Sequence, residues 1–200
     1  MSKRTVVSAM VLAMIAGAAS VPMLTAQPAS PPAEGGQAGD GKAVFPNSWF
    51  FYGNKGKLLG KPAPELEVTD WFGGSATSMK DLKGKIVVVD FWGAWCGPCR
   101  KAVPHTNEMA QKFKDQGVVV VGVHSKRDAA KMEEAARTLK MAYPTAKDIN
   151  GKSEAAYGVE FWPFYVLVDR EGNVRAAGLK PNNVGDAIEA LLKEQPAAKG

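Results

Sequence analysis

Ile86-Val87-Val88-Val89 places four β-branched side chains in a row with no polar residue between them. A strand built from such a run is apolar on both faces and must be covered on both. That calls for helices on either side of a sheet, and the rest of the chain supplies them. Val103, Thr106, Met109, Ala110 and Phe113 recur at helical spacing, predicting a helix that stops near Gly117. A second buried strand follows over 118–123. Upstream, Leu66, Val68 and Trp71 alternate with polar neighbours as an added N-terminal strand would, turning at Gly73-Gly74. Further helices are predicted over 129–139 and over 153–157, the latter stopped by Gly158. Strands at 164–168 and 174–177 are joined by a Gly172-containing turn and should pair antiparallel. A closing helix over 183–193 carries Val184, Ala187, Ile188, Leu191 and Leu192 on one side. The pattern is α/β, with a mixed central β-sheet flanked by helices.

The chain begins differently. Lys3 and Arg4 precede an uncharged apolar run over 6–19, about 14 residues against the roughly 20 that span a bilayer, and Pro22 ends it. Residues 1–26 therefore read as a signal peptide cleaved near Ala26, with an uncleaved anchor as the alternative. No cysteine stands near it, so lipid attachment is excluded. Either way the working part is expected outside the cytoplasm. Residues 27–57 read as a flexible tether, rich in Pro, Ala, Gly and Ser, followed by an aromatic segment with Phe45, Trp49, Phe50, Phe51 and Tyr52. That segment is expected to dock on the domain, which spans 58–195. The net charge of +5 is mild. Basic residues such as Lys55, Lys57, Lys61, Lys126 and Arg127 are scattered, so they imply a solvated surface, no nucleic acid and no acidic partner.

The chemistry concentrates in Trp95-Cys96-Gly97-Pro98-Cys99, which holds the chain's two cysteines. At a helix start, the first sulfur receives backbone N–H groups and the positive end of the helix dipole, both favouring thiolate. Cys96 is thus the expected nucleophile. Cys99, one turn on and deeper, is placed to resolve a mixed disulfide by attacking the same sulfur. A permanent staple across so short a loop would remove little chain entropy, on the order of 2 kcal/mol or less. Zinc would need four ligands, and beyond these sulfurs the chain offers only His105 and His124, each expected to be structural. No metal site is expected. Asp90 ends the apolar strand, where burial should raise its pKa and suit it to accept the Cys99 proton directly or through one water. A carboxylate paired with a lysine is the plainer alternative.

The stretch Val89-Asp90-Phe91-Trp92-Gly93-Ala94-Trp95-Cys96-Gly97-Pro98-Cys99-Arg100 resembles the active-site segment of thioredoxin. Pro104 resembles the proline that kinks the family's active-site helix. Residues 60–192 are similar to the TlpA-like branch of exported thioredoxin-like proteins, within the redoxin superfamily. That likeness is carried by Gly60-Lys61-Pro62-Ala63-Pro64, the helix at 129–139, Tyr143-Pro144, Asp148 and Tyr157-Gly158-Val159. It implies a thioredoxin fold with an N-terminal strand extension and an inserted helix. It also identifies Pro163 as the cis-proline facing the disulfide, where the backbone pairs with extended substrate. With Trp95, Gly97, Pro98, Trp162 and Pro163 as substrate-binding residues, the groove is expected to be narrowed or made more aromatic by Trp162 and Phe164.

The resemblance implies a thiol-disulfide oxidoreductase whose cofactor is its own Cys96–Cys99 disulfide. It would act on exported protein clients in the reducing direction suggested by Gly97-Pro98, with a membrane thiol reductase as electron donor and cytochrome c maturation as a service this branch often performs. A monomer is expected. Two other classes stay open. A peroxidase of redoxin type usually carries threonine three positions before its cysteine, where this chain has Gly93. A metal or haem carrier would need a ligand set that two sulfurs do not make.

Overall fold

The covering that the 86–89 run demands is found at the middle of a six-stranded sheet. In the computed structural model, the described residues are 44–52 and 57–194, all within the unit Glu34–Gly200. The expected signal segment and the tether before the aromatic segment lie outside them. In chain order the elements are β1 (Val68–Phe72), β2 (Ile86–Trp92), α1 (Gly97–Phe113), β3 (Val118–His124), α2 (Met132–Thr138), β4 (Thr145–Asp148), α3 (Lys152–Tyr157), β5 (Phe164–Val168), β6 (Val174–Leu179) and α4 (Pro181–Glu194). The sheet order is β1-β4-β3-β2-β5-β6. β2 runs parallel to β3 and antiparallel to β5, β3 and β4 are parallel, and both edge strands are antiparallel to their neighbours. None of the described helices is long and apolar enough to cross a membrane.

β2 divides its side chains by the period of two. Ile86, Val88 and Trp92 enter one core with α1 and with Val184, Ile188 and Leu191 of α4. Val87, Val89 and Phe91 enter a second core on the other face, with Tyr157 of α3 and Val166 and Val168 of β5. Asp90 falls on the α1 face by the same alternation. β5 repeats the division, sending Tyr165 to the α1 side and Phe164 to the other.

The helix after the cysteines ends in a 3₁₀ turn over Lys114–Gln116 and a left-handed Gly117, φ 76°. The insertion at 129–139 is a 3₁₀ turn, Ala129–Lys131, leading into α2. β4 was not expected: Thr-Ala-Lys-Asp has no apolar run, and it is extended because β1 and β3 hydrogen-bond to it from either side.

The aromatic segment docks. Phe45 and Phe50 belong to the α1-side core. Phe50 bridges Leu179, and the Lys180 N–H donates to the Trp49 carbonyl at 2.8 Å. Phe51 and Tyr52 remain exposed against the Phe161 ring, with centroids at 5.3 and 5.0 Å. Phe50 is 2% exposed, so Phe50→Ala should cost about 3–5 kcal/mol of stability. Urea unfolding reads this as a lower midpoint at unchanged m-value, and a loss below about 1 kcal/mol would show that the segment is an ornament on an independent domain.

Candidate active site

Three local arrangements fix the loop between β2 and α1. The end of β2 is tied to the chain beyond β3 by the Ser125 N–H, which donates to the Trp92 carbonyl at 2.8 Å. The fully buried His124 then reaches forward: its Nε2 lies 2.9 Å from the Ala94 N–H and its Nδ1 2.7 Å from the Ser125 carbonyl. A backbone N–H only donates and a carbonyl only accepts, so His124 carries its proton on Nδ1 and is neutral. Burial, which pushes its pKa down, favours the same form. Gly93 makes the third arrangement, because a Cβ there would sit 2.7 Å from Trp95 Nε1. The indole of Trp95 rests where any other residue would place a side chain.

The turn closes with the Cys96 N–H on the Gly93 carbonyl at 2.9 Å, and Cys96 becomes the N-cap of α1. Its sulfur accepts the Cys99 N–H at 3.2 Å. Pro98 stands in the first turn, where no intrahelical N–H is required. Cys96 and Cys99 are joined as a disulfide, their Cα atoms 5.3 Å apart. Cys96 is 4% exposed and followed by the exposed Gly97 and Pro98, whereas Cys99 faces inward with Ala102, Val103 and Thr106. Pro104 lies inside α1 and leaves the Arg100 carbonyl without its helical donor. The Trp162-Pro163 peptide is cis, and the Trp162 ring meets Trp95 edge-on with centroids 5.4 Å apart.

Asp90 lies within the same layer. It is 2% exposed. Tyr143 donates its hydroxyl to Oδ2 at 2.8 Å, while Oδ1 has no hydrogen-bond partner among the described residues. Desolvation raises its pKa to about 7, opposed by the Tyr143 hydroxyl and less strongly by that of Tyr165. Tyr165 is Asp90's cross-strand neighbour on β5, and its hydroxyl is shared with Thr106 Oγ1 of α1 at 2.9 Å. Tyr143 and Tyr165 belong to the hydrophobic cluster that contains both cysteines. No lysine or arginine forms an ion pair with Asp90 among the described residues.

The fold brings Cys96, Cys99, Trp95, Gly97 and Pro98 together at the start of α1, with Trp162 and Pro163 beside Trp95 and Asp90 on the sheet below. Phe164 does not join them: its ring turns into the opposite core against Phe91 and Phe161, because Tyr165, next along β5, takes the α1 face. Of the two, Trp162 alone turns its ring toward Trp95. His105 lies on the outer side of α1, 3.9 Å from Glu108. Sequence reasoning did not find Tyr143, Tyr165 and Thr106 as a layer around Asp90, nor His124 as the support of the loop. Glu154 was also missed. It is 8% exposed, its N–H is held by Asp148 at 2.9 Å, and burial raises its pKa against the neighbouring Ser125. Among the described residues no three His, Cys, Asp or Glu side chains gather as a metal site.

A Cys-x-x-Cys disulfide capping a helix that follows the central strand of a mixed sheet, with a cis-proline beside it, defines a thioredoxin-fold thiol-disulfide oxidoreductase. The Redoxin family model matches residues 58–192, and the chain belongs to that family. It is 36% identical over 125 residues to the thiol-disulfide oxidoreductase ResA of Bacillus thuringiensis (strain Al Hakam), covering 62% of this chain and 72% of that protein. It is 35% identical over 122 residues to protein DipZ of Mycobacterium bovis, covering 56% of this chain and 18% of DipZ. The crystal structure of the thioredoxin domain of a thiol-disulfide oxidoreductase from Bacteroides vulgatus superposes with a TM-score of 0.60 at 29% identity, over 66% of this chain and 95% of that one.

The raised pKa of Asp90 has a signed consequence for stability. Between the ordinary carboxylate value of 3.8 and about 7, the folded protein holds a proton that the unfolded chain has released. This contribution is therefore complete below the unfolded pKa and lost as pH rises through the folded one. Asp90→Asn removes the titration. The stability of the variant relative to the parent should grow by about 1 kcal/mol per pH unit from pH 5 to 7 and level off above pH 8. Urea unfolding of the oxidised proteins at a series of pH values measures this, and a difference independent of pH would contradict the assignment.

Proposed function

We propose that this oxidoreductase works in the reducing direction on exported protein disulfides, with Cys96 as nucleophile, Cys99 as resolving thiol and Asp90 as proton acceptor. The observation that carries the reading is a dry, half-partnered carboxyl whose pKa stands near neutrality, set among Tyr143 and Tyr165 of the buried cluster that also holds Cys99. The Cys96 thiolate, favoured by the N-terminus of α1, attacks one sulfur of a client disulfide. A mixed disulfide forms and the other client sulfur leaves as thiolate. Cys99 then gives its proton to the Asp90 carboxylate, directly or through a water, and attacks Cys96 Sγ. The second client thiolate is released, two electrons have passed to the client, and the protein is left with its Cys96–Cys99 disulfide.

Trp95, Gly97, Pro98, Trp162 and Pro163 would contact the client strand. Regenerating the dithiol outside the cytoplasm requires a donor there, and a membrane thiol reductase supplies that chemistry. Cytochrome c maturation is one service that such a reductant performs. The short apolar run and the adjacent small residues support export, with cleavage near Ala26. N-terminal sequencing of exported protein should find a mature chain starting after that run; a chain still starting at Met1 or Ser2 would make the segment an anchor.

With dithiothreitol as donor, the protein should reduce insulin disulfides, and Cys96→Ser should abolish this. Cys99→Ser should accumulate mixed disulfide, since the intermediate forms but cannot resolve. Consumption of hydrogen peroxide much faster than protein disulfides would replace the reductase reading with a peroxidase.

A further inference from the structure

We propose that the client segment lying beside the disulfide is acidic, its carboxylates received by Arg127 and Arg100 around the Trp95 ring. This inference rests on the reductase reading and names its substrate class. Arg127 and Arg100 are far apart in the chain, and the fold places both next to the Cys96 turn. The Arg127 guanidinium lies over the Trp95 ring at 4.4 Å from its centroid, and its backbone N–H is held by Ser125 Oγ at 3.3 Å. Arg100, in the first turn of α1, opens onto a hollow of about 230 Å³ whose walls include Ala94, Lys131 and Glu134. Both arginines are exposed and form no ion pair among the described residues.

Of the acids on this side, Glu154 faces Ser125 and Trp162 and has its pKa raised by burial, and the other two share one lysine. Asp128 lies 3.9 Å from Lys131, and Glu134 shares the hollow with Arg100 and Lys131. The exposed Glu160, two residues before Trp162, lines a separate hollow with Tyr52 and Phe161. Arg127 is thus the cation on the Trp95 ring itself, and no acid forms an ion pair with it among the described residues.

An arginine stacked on an indole keeps the edge of its guanidinium free, and that edge matches a carboxylate through two parallel N–H donors. The stack also limits its rotamers, so less freedom is lost when a carboxylate binds. A basic client would instead bring like charges over both arginines, which raises the barrier to encounter. Trp95 and Trp162 provide an aromatic floor at 5.4 Å from each other, and the charge beside it selects among the strands that could lie there.

The test uses two matched peptides, each with one intrachain cystine flanked on both sides by Glu or by Lys. The rate at which each oxidises the reduced protein is followed by tryptophan fluorescence and divided by its rate with dithiothreitol, which corrects for the effect of the flanking charges on the cystine itself. At low salt the Glu peptide should react about 10-fold faster than the Lys peptide, contracting to about 2-fold in high salt. Arg127→Gln should slow the Glu peptide several-fold and speed the Lys peptide, while Arg127→Lys keeps the salt-dependent part of the preference and loses the part that the stacked, two-donor guanidinium supplies. Equal rates for the two peptides, or a preference that survives Arg127→Gln, overturn the proposal. If neither peptide oxidises the reduced protein, the reductase reading falls and takes this inference with it.

Discussion

A central strand that is dry on both faces is the constraint on which everything else in this molecule depends. β2 has a parallel neighbour on one side and an antiparallel one on the other, and both its faces are covered. Such a strand tolerates almost any apolar side chain and almost no polar one, since a carboxyl placed there loses its water and must keep its proton to avoid a cost of several kcal/mol. Asp90 occupies that position on the face where α1 lies. The covering that stabilises the fold is therefore also what tunes the carboxyl, and neither can be altered alone. Tyr143 from the β4 approach and Tyr165 from β5 give it partial relief, one by a hydrogen bond and one by proximity. With Oδ1 left bare, the group stays near neutrality rather than returning to an ordinary carboxylate.

The loop above that strand is held by parts with little freedom to vary. His124 joins a donor at Ala94 to an acceptor at Ser125, a pairing that only the neutral ring with its proton on Nδ1 can make. Protonation would leave the Ala94 N–H facing another donor, and burial keeps that form rare. Gly93 gives Trp95 its resting place, and Gly122 does the same for the Trp92–Thr145 hydrogen bond, since a Cβ there would meet Thr145 Oγ1 at 2.7 Å. Two absent side chains thus set two indoles.

Much of this was legible in the sequence, and the parts that were not share a cause. The buried run, the Cys-x-x-Cys at a helix start and the hairpin at 169–173 are signals written in neighbouring residues, and β2, α1 and the β5–β6 pair follow from them. The expectation that burial would raise the pKa of Asp90 needed only the apolar residues before it. β4 escaped because four residues without apolar periodicity become a strand through their neighbours and not through themselves. The layer of Tyr143, Tyr165 and Thr106 escaped because each comes from a different element, and His124 could be read only as a structural histidine until the Ala94 amide lay against it. Phe164 was misjudged for the same reason: the face a side chain takes on β5 is set by register with β2, which no local pattern records.

The two cysteines differ less in burial than in what surrounds them, and the proposed order of attack rests on that difference. Cys96 caps the helix between the half-buried Trp95 and the exposed Gly97 and Pro98, the side from which the proposed client sulfur would approach. Cys99 is 2% exposed and lies with Val103 and Thr106 on the buried side of α1. In the proposed cycle the same burial would withhold from the reduced Cys99 the solvation that stabilises a thiolate, which is why it is paired there with a base. A surface carboxylate would be too weak a base near neutral pH, and one with its pKa near 7 is matched to the task. In the proposed order, access selects the first sulfur and proton transfer times the second. Both follow from placing a Cys-x-x-Cys turn at the end of a strand that has no water on either face.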